Sequence, residues 1–136
     1  MTYLVDRLAE LRRHLDHLRV VKSRVFDRAS LQDDLSLHND VLFSLLMVAQ
    51  LTVDISGELA ARRGDRFDGY AEAIRMLGRD RRFPPDLVSS LEPLAGFRNI
   101  VIHEYVKIDL NRVIEALNRL DPVERFVTIV AGLQTE

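Results

Sequence analysis

The sequence predicts an all-α protein, a helical bundle built on two long antiparallel helices with shorter helices beside them. Two long stretches carry apolar residues at steps of three and four, the spacing of an amphipathic helix, and no strand-length stretch alternates apolar and polar residues. A chain of 136 residues fits one domain, residues 1–136, that buries roughly two thirds of its unfolded surface. We therefore expect a single bundle with one core.

The first helix is predicted from a stripe of leucines and valines that alternate steps of four and three: Leu4, Leu8, Leu11, Leu15, Leu18, Val21 and Val25. His14 and His17 stand three residues apart on this helix, a spacing that can hold a metal ion. No nearby residue completes a ligand set, so we expect a solvent-exposed histidine pair.

The second long helix is expected to begin at Ser30, whose hydroxyl can cap a helix, with Asp33 in the first turn. Gly64 suits a left-handed cap at its other end. Its apolar stripe is predicted to contain Leu31, Leu35, Leu42, Leu45 and Ala49. His38 falls on the same stripe, which favours a hydrogen-bonded core histidine over one that faces a cleft.

Three shorter helices follow from their end signals. Tyr70 and Leu77 bound a short helix, and Asp109 is placed to cap another. Asp121 followed by Pro122 joins a capping acid to a proline at the first helical position, so a last helix is expected there.

A further helix, supported at its start by Asp86, is predicted to carry the most informative stretch of the chain. Its apolar stripe includes Leu87, Leu91 and Leu94 and, if the helix runs on, Ile102 and Tyr105. Arg98 lies on the same stripe, where a buried unpaired charge would cost several kcal/mol. We expect Arg98 to face a partner group, a second subunit or a ligand cleft. His103 lies roughly 140° around a straight helix from Arg98, so the two act together only if the helix ends or bends near His103, or if a second chain contributes.

Arg98, four residues, His103, one residue and Tyr105 together resemble the Arg-x4-His-x-Tyr signature of the HepT-like (DUF86) branch of the HEPN superfamily. The similarity covers nearly the whole chain and includes Tyr70-Ala71-Glu72-Ala73-Ile74, Pro84-Pro85, Leu94-Ala95-Gly96-Phe97-Arg98-Asn99 and Asp121-Pro122-Val123-Glu124-Arg125-Phe126. Relatives often carry Asp-Ile-x-x-His at 54–58, whereas this chain has Glu58 at the histidine position. The resemblance implies a dimeric HEPN-type bundle that acts as the toxin of a toxin–antitoxin pair.

The chemistry of the signature suits a metal-independent endoribonuclease. Histidine suits proton transfer because its pKa of ~6.5 lies near working pH, and the planar fork of arginine holds two phosphate oxygens while it stays cationic. We therefore take Arg98 and His103 as the candidate catalytic residues. One chain offers one such pair, and the implied homodimer supplies two along one cleft.

Tyr105 has a different implied role. In the resembling family this tyrosine is where a nucleotidyltransferase antitoxin of the MntA type attaches adenylate, and the added charge would block the phosphate position. Taken alone, Tyr105 is better explained as a core packing residue, and His103 is as well explained by closing a helix end as by catalysis. Supporting candidates are Asn99 for a backbone or phosphate hydrogen bond, Glu104 for orienting a neighbour, and Asp54 as a polar partner of Arg98 or His103.

Composition limits the other functions. The absence of cysteine excludes thiol catalysis and cysteine-ligated zinc, and we expect no resident metal or cofactor. A net charge of −2 provides no global basic field, so RNA contact requires a local patch. A mid-chain arginine cluster offers such a patch, or is merely solvated: Arg62, Arg63, Arg66, Arg75, Arg79, Arg81 and Arg82. Early charges and short apolar runs predict a soluble, cytoplasmic protein without a membrane span.

Two other functions remain open from the sequence. The chain is alternatively a non-catalytic helical interaction module that binds a nucleotidyltransferase partner or a nucleotide. A metal-assisted nuclease that uses Asp54 and Glu58 is the weaker alternative, because only two carboxylates four residues apart are visible.

Overall fold

The computed structural model describes residues 2–134. This part of the chain contains eight α-helices and no strand. The helices are α1 Thr2–Val21, α2 Arg28–Gln32, α3 Leu35–Arg62, α4 Tyr70–Arg75, α5 Pro85–Leu91, α6 Pro93–His103, α7 Leu110–Leu117 and α8 Asp121–Gln134. Short 3₁₀ turns lie at Lys22–Arg24, Met76–Arg79 and Tyr105–Lys107. The prediction of an all-α fold is confirmed.

The two long helices, α1 and α3, run antiparallel and form the centre of the bundle. His17 bonds Asp40 at 2.7 Å, and His14 bonds Ser44 at 3.1 Å. Residue numbers therefore rise along α3 in the direction in which they fall along α1. The predicted stripe of α1 is buried at Leu4, Leu8, Leu11, Leu15, Leu18 and Val21. The prediction of a bundle built on this pair is confirmed.

The start of the second long helix differs from the prediction. Asp27 caps the short helix α2 and forms a capping box with Ser30, which is therefore a residue of the first turn. The long helix begins later, because the carboxylate of Asp34 accepts the backbone N–H of Leu37. Leu37 is buried, while Leu35 is 69% exposed. The predicted cap at Ser30 and the predicted inward position of Leu35 were wrong. Asp27 and Asp34 cap two separate helices, and the chain turns between these helices.

The histidines of this helix pair also differ from expectation. The side chain of His14 is only 11% exposed, bonds Ser44 and meets the edge of the Phe43 ring, so the predicted exposed pair is wrong for His14. Burial lowers the pKa of His14. His17 is exposed and bonds Asp40. His38 is half-buried and bonds the neighbouring Asn39, so it is not a core histidine.

The segment predicted as one helix carrying the motif forms two helices, α5 and α6. Pro93 begins α6 directly after α5 ends at Leu91, because proline has no N–H to continue the ladder. Leu91 is buried as predicted, and α6 then ends at His103. Tyr105 lies outside the helix in a 3₁₀ turn, so the condition for the stripe to reach Tyr105, a helix that runs on, is not met.

The predicted end signals were otherwise useful. Gly64 follows α3 with φ +78°, a left-handed conformation that glycine adopts without strain. Asp109 caps α7 by accepting the N–H of Asn111 at 2.9 Å. The last helix begins at Asp121 itself, and Arg19 of α1 bonds Glu124 of that helix at 2.8 Å.

Helix α3 is long and apolar enough to cross a membrane by length and composition, with a mean hydropathy of 1.4 over an 18-residue window. More than half of that window is buried inside the bundle. Helices α1, α4 and α6 pack along it. Its position as the core helix accounts for its apolar character.

Candidate active site

Arg98 lies on α6, half-buried against α3 and α4. Its Nε donates to the side-chain oxygen of Gln50 at 2.7 Å, and its Nη1 donates to Asn99 at 3.1 Å. The guanidinium carbon stands 4.5 Å from the ring centroid of Tyr70, a cation–π contact that covers one face of the group. An arginine on an apolar stripe is therefore accommodated within one chain by an amide and an aromatic ring.

The amide of Gln50 also contacts Asp54. Its nitrogen donates to the Asp54 carboxylate at 2.8 Å while its oxygen accepts from Arg98. Asp54 therefore reaches Arg98 only through Gln50. Their spacing of four residues places Gln50 and Asp54 on one face of α3, but spacing alone assigns Gln50 no role.

His103 is the last residue of α6 and is exposed. Within residues 2–134 its side chain makes no hydrogen bond and no ion pair, so the ring is available to a ligand. The helix stops there because Glu104 leaves helical geometry, with φ −134° and ψ 33°, while its N–H still donates to Ile100 at 2.8 Å. The Glu104 side chain points to solvent and orients no neighbour among the described residues.

The residues around His103 are unusually exposed for their type. Tyr105 is 68% exposed and Val106 is 84% exposed, while Ile102 is 38% exposed. The packing interpretation of Tyr105 is therefore wrong for the isolated chain. Its phenol is accessible to a second protein, and Ile102 and Val106 give the segment beside the histidine an exposed apolar rim.

Arg98 and His103 do not converge within one chain. Five residues of α-helix separate them by roughly 140° around the axis and about 7.5 Å along it. Arg98 faces α3 and α4, whereas His103 faces solvent beyond the end of α6. One chain therefore presents an oriented cation and a free imidazole as two separate groups.

Most of the mid-chain arginine cluster is already paired with carboxylates. Arg63 and Arg79 both contact Asp65, at 2.9 and 3.3 Å, and Arg75 pairs with Glu92. Arg82 pairs with Asp80 and lowers the pKa of that carboxyl. The interpretation as solvated, ion-paired side chains is the better one for these four arginines, because each has a carboxylate partner.

Glu58 pairs with Arg62 one turn away at 2.9 Å, and Asp54 is held by Gln50. In residues 2–134 no group of three or more histidine, cysteine, aspartate or glutamate side chains is arranged to hold a metal ion. The described residues thus offer no ligand set to the metal-assisted alternative.

A cavity of about 590 Å³ lies on the other side of α6, between α6 and α7, and Phe97 and Arg112 are among its lining residues. None of Arg98, His103 and Tyr105 lines it. The motif thus sits on an open face of the chain, separate from this cavity.

Residues 9–130 match the family described as Ribonuclease HepT-like. The chain belongs to this family. The sequence prediction of a HepT-like member of the HEPN superfamily is confirmed.

Two relatives of the HepT-like chain carry nuclease names. A tRNA nuclease HepT from Aphanizomenon flos-aquae is 32% identical over 117 residues, which cover 82% of this chain and 76% of the relative. An mRNA nuclease HepT from Shewanella oneidensis is 19% identical over 129 residues, which cover 93% of this chain and 95% of the relative. The prediction of a ribonuclease is confirmed at the level of the family.

Solved structures with the same fold include a tri-AMPylated Shewanella oneidensis HEPN toxin in complex with an MNT antitoxin. That toxin superposes with a TM-score of 0.81 at 18% identity, covering 95% of this chain and 96% of the toxin. A toxin–antitoxin structure with AMP-PNP gives a TM-score of 0.84 at 17% identity, and the match covers 97% of this chain and 99% of the chain in that structure. These structures confirm the HEPN-type bundle.

Proposed function

We propose that this HepT-like chain is the endoribonuclease toxin of a toxin–antitoxin pair, acting in the cytoplasm as a homodimer. The observation that carries the proposal is the half-site itself. Arg98 is held with part of its donor edge unoccupied, and His103 is exposed and unbonded. The family and the nuclease names of two relatives support the same function.

The proposed reaction is metal-independent transesterification of RNA. One His103 accepts the proton of a ribose 2'-hydroxyl, whose oxygen then attacks the adjacent phosphorus. The bond from phosphorus to the 5'-oxygen breaks, and the second His103 donates a proton to that oxygen. Arg98 binds the phosphate oxygens and stabilises their growing negative charge. The products are a 2',3'-cyclic phosphate and a 5'-hydroxyl.

The dimer is proposed to form through the face that carries the motif. Ile102, Tyr105 and Val106 expose apolar surface around His103, and Phe43 of α3 is 58% exposed. Phe43 lies two helical turns from Gln50 on the same side of α3. Exposed apolar surface of this kind marks an interaction site. A twofold axis at this face brings the two incomplete sites together.

Tyr105 is proposed as the site at which the antitoxin silences the toxin. Its phenol oxygen attacks the α-phosphate of ATP, pyrophosphate leaves, and adenylate remains on the tyrosine. The modification places a phosphodiester charge two residues from His103, where it competes with the RNA phosphate. The exposed position of Tyr105 permits this reaction, and the related toxin that is described as tri-AMPylated supports it.

The nuclease proposal is tested with the protein purified without its antitoxin, using total RNA in the presence of EDTA. We expect cleavage that leaves 2',3'-cyclic phosphate ends. Cleavage abolished by EDTA, or products with 5'-phosphate ends, would contradict the metal-independent mechanism. A dimer that does not cleave but binds the nucleotidyltransferase would favour the interaction module.

The modification proposal is tested by co-expression with a nucleotidyltransferase antitoxin and intact mass spectrometry. We expect adenylate on the wild type and none on Tyr105→Phe, which should cleave RNA as well as unmodified wild type but resist the antitoxin. Tyr3→Phe is the control, because Tyr3 is also partly exposed but lies on α1. Adenylate retained on Tyr105→Phe would place the modification elsewhere.

A further inference from the structure

We propose that Gln50 is a positioning residue for Arg98, and that its neutral amide orients the guanidinium while it keeps the Asp54 carboxylate away from that charge. The inference rests on the proposed function, in which Arg98 binds the scissile phosphate. It concerns a side chain that is absent from the Arg-x4-His-x-Tyr signature.

The geometry requires an amide at position 50. The nitrogen of Gln50 donates to Asp54 at 2.8 Å, and the oxygen accepts from Arg98 at 2.7 Å. A carboxylate at this position could not donate to Asp54, and an aliphatic side chain could bond neither neighbour. The order carboxylate, amide, guanidinium also fixes which way the amide faces.

The contacts on Arg98 leave a defined edge for a ligand. Gln50 occupies Nε, Asn99 occupies one N–H of Nη1, and Tyr70 covers one face of the group. The second N–H of Nη1 and both N–H groups of Nη2 have no bonded partner within residues 2–134. Because these three contacts fix the plane of the guanidinium, the group binds a phosphate with little further loss of rotational freedom.

Other polar side chains of α3 near this level do not contribute. Thr52 and Ser56 are buried and donate to carbonyls of their own helix, each at 2.7 Å. Gln50 and Asp54, four residues apart on another face, are turned towards α6 instead. The hydrogen-bonded connection between α3 and Arg98 therefore runs through Gln50.

The neutrality of the amide matters for affinity. A carboxylate bonded directly to a guanidinium forms a charge-assisted, often bidentate pair that competes with a phosphate for the same donors. In this protein the nearest carboxylate on α3 is one side chain further away, so Arg98 keeps most of its charge for the ligand. Asp54 instead holds the amide in place.

The test exchanges the two groups in the full-length dimer. Gln50→Glu with Asp54→Asn keeps the net charge and the number of side-chain heavy atoms, but moves the carboxylate onto Arg98. We expect kcat/KM to fall tenfold or more, mainly through KM, with unchanged oligomeric state and Tm. We also expect a weaker salt dependence of KM, because a phosphate contact is lost.

Three further variants complete the series. Gln50→Leu removes the orienting bond and should lower kcat/KM more than Asp54→Asn does, because Asp54→Asn leaves the bond between Gln50 and Arg98. Glu58→Gln is the control, since it changes a charge on the same helix that is paired with Arg62, and it should behave as wild type.

RNA binding separates the failure of this inference from failure of the proposed function. Each protein is titrated with 2'-O-methyl RNA, which cannot be cleaved by this mechanism, over a range of salt concentrations. Wild-type affinity and salt dependence in both the exchange variant and Gln50→Leu would overturn the role of Gln50. If the wild-type protein binds 2'-O-methyl RNA but does not cleave unmodified RNA, the nuclease proposal alone is overturned. If the wild-type protein does not bind the RNA, both proposals are overturned.

Discussion

The face between α1 and α3 and the segment from Arg98 to Val106 contain similar residue types, but their side chains are buried and paired on the first and exposed on the second. On the first, apolar side chains are buried and the polar ones are paired across the helices, as His14 is with Ser44. On the second, Tyr105 and Val106 are mostly exposed and His103 has no partner in the described chain. The groups of the first surface are satisfied within one chain, whereas the second leaves His103 unbonded and apolar side chains exposed in the described residues.

Arg98 shows that the second surface is not merely loose. Three side chains hold its guanidinium, from α3, α4 and α6 itself. A fixed cation next to unsatisfied groups is typical of a site that is prepared for a ligand or a second subunit. The difference between the two surfaces gives four predictions.

The largest expected effect is on catalysis at the exposed surface. His103→Ala should lower kcat for RNA cleavage by about 10²- to 10⁴-fold, the usual contribution of a general acid or base. Its Tm should not change, because the ring has no partner to lose. His38→Ala, which removes a histidine of α3 outside the motif, should keep full activity. Wild-type cleavage by His103→Ala would remove the histidine from the mechanism.

The second prediction concerns the complete surface. Leu11 is fully buried, and Leu11→Ala should lower the free energy of unfolding by about 2–5 kcal/mol through lost burial and a cavity. Ile102→Ala, at the exposed surface, should cost far less under conditions where the chain is monomeric. Urea denaturation at low protein concentration measures both. Equal losses would show that the two surfaces do not differ as described.

The third prediction tests whether the exposed surface is a subunit interface. Val106→Asp places a charge in the apolar rim, and it should weaken the dimer and reduce cleavage together, because each cleft needs both chains in the proposed mechanism. Analytical ultracentrifugation gives the dissociation constant. Val20→Asp is the matched control, since Val20 is 70% exposed on α1. An intact dimer in Val106→Asp would place the interface on another face.

The smallest expected effect is a pH dependence of stability at the complete surface. Burial lowers the pKa of His14, and Arg13 and His17 lower it further, while Glu10 opposes them. The unfolded chain therefore binds a proton more readily than the folded one, so the free energy of unfolding should fall as pH drops below the ordinary histidine value of about 6.5. Above that value His14 is neutral in both states and contributes no slope.

His14→Gln tests this contribution because it keeps a polar group near Ser44 and does not titrate. Its unfolding free energy should change less than that of the wild type between about pH 7 and about pH 5. His17→Gln serves as the comparison, since His17 lies on the same helix but is exposed. A steeper slope in His14→Gln would reverse the sign of the argument.

The sequence by itself determined the class of fold and the residues of the signature. Repeating leucines in α1 predicted its buried face correctly, because apolar spacing is a local property of a helix. The same rule misplaced Leu35, since Asp34 caps a new helix, and it does not reach Tyr105, since α6 ends at His103. Competition between local caps is decided by packing, so the pattern alone did not resolve it.

The tertiary structure decided what surrounds Arg98. Tyr70 and Gln50 lie 28 and 48 residues away along the chain, and nothing in the spacing of α6 indicates that they meet its guanidinium. Their contact arises because α4 and α6 both pack on α3. Local periodicity specifies which side of a helix is buried, but only the packing of helices onto one another determines which polar groups meet there.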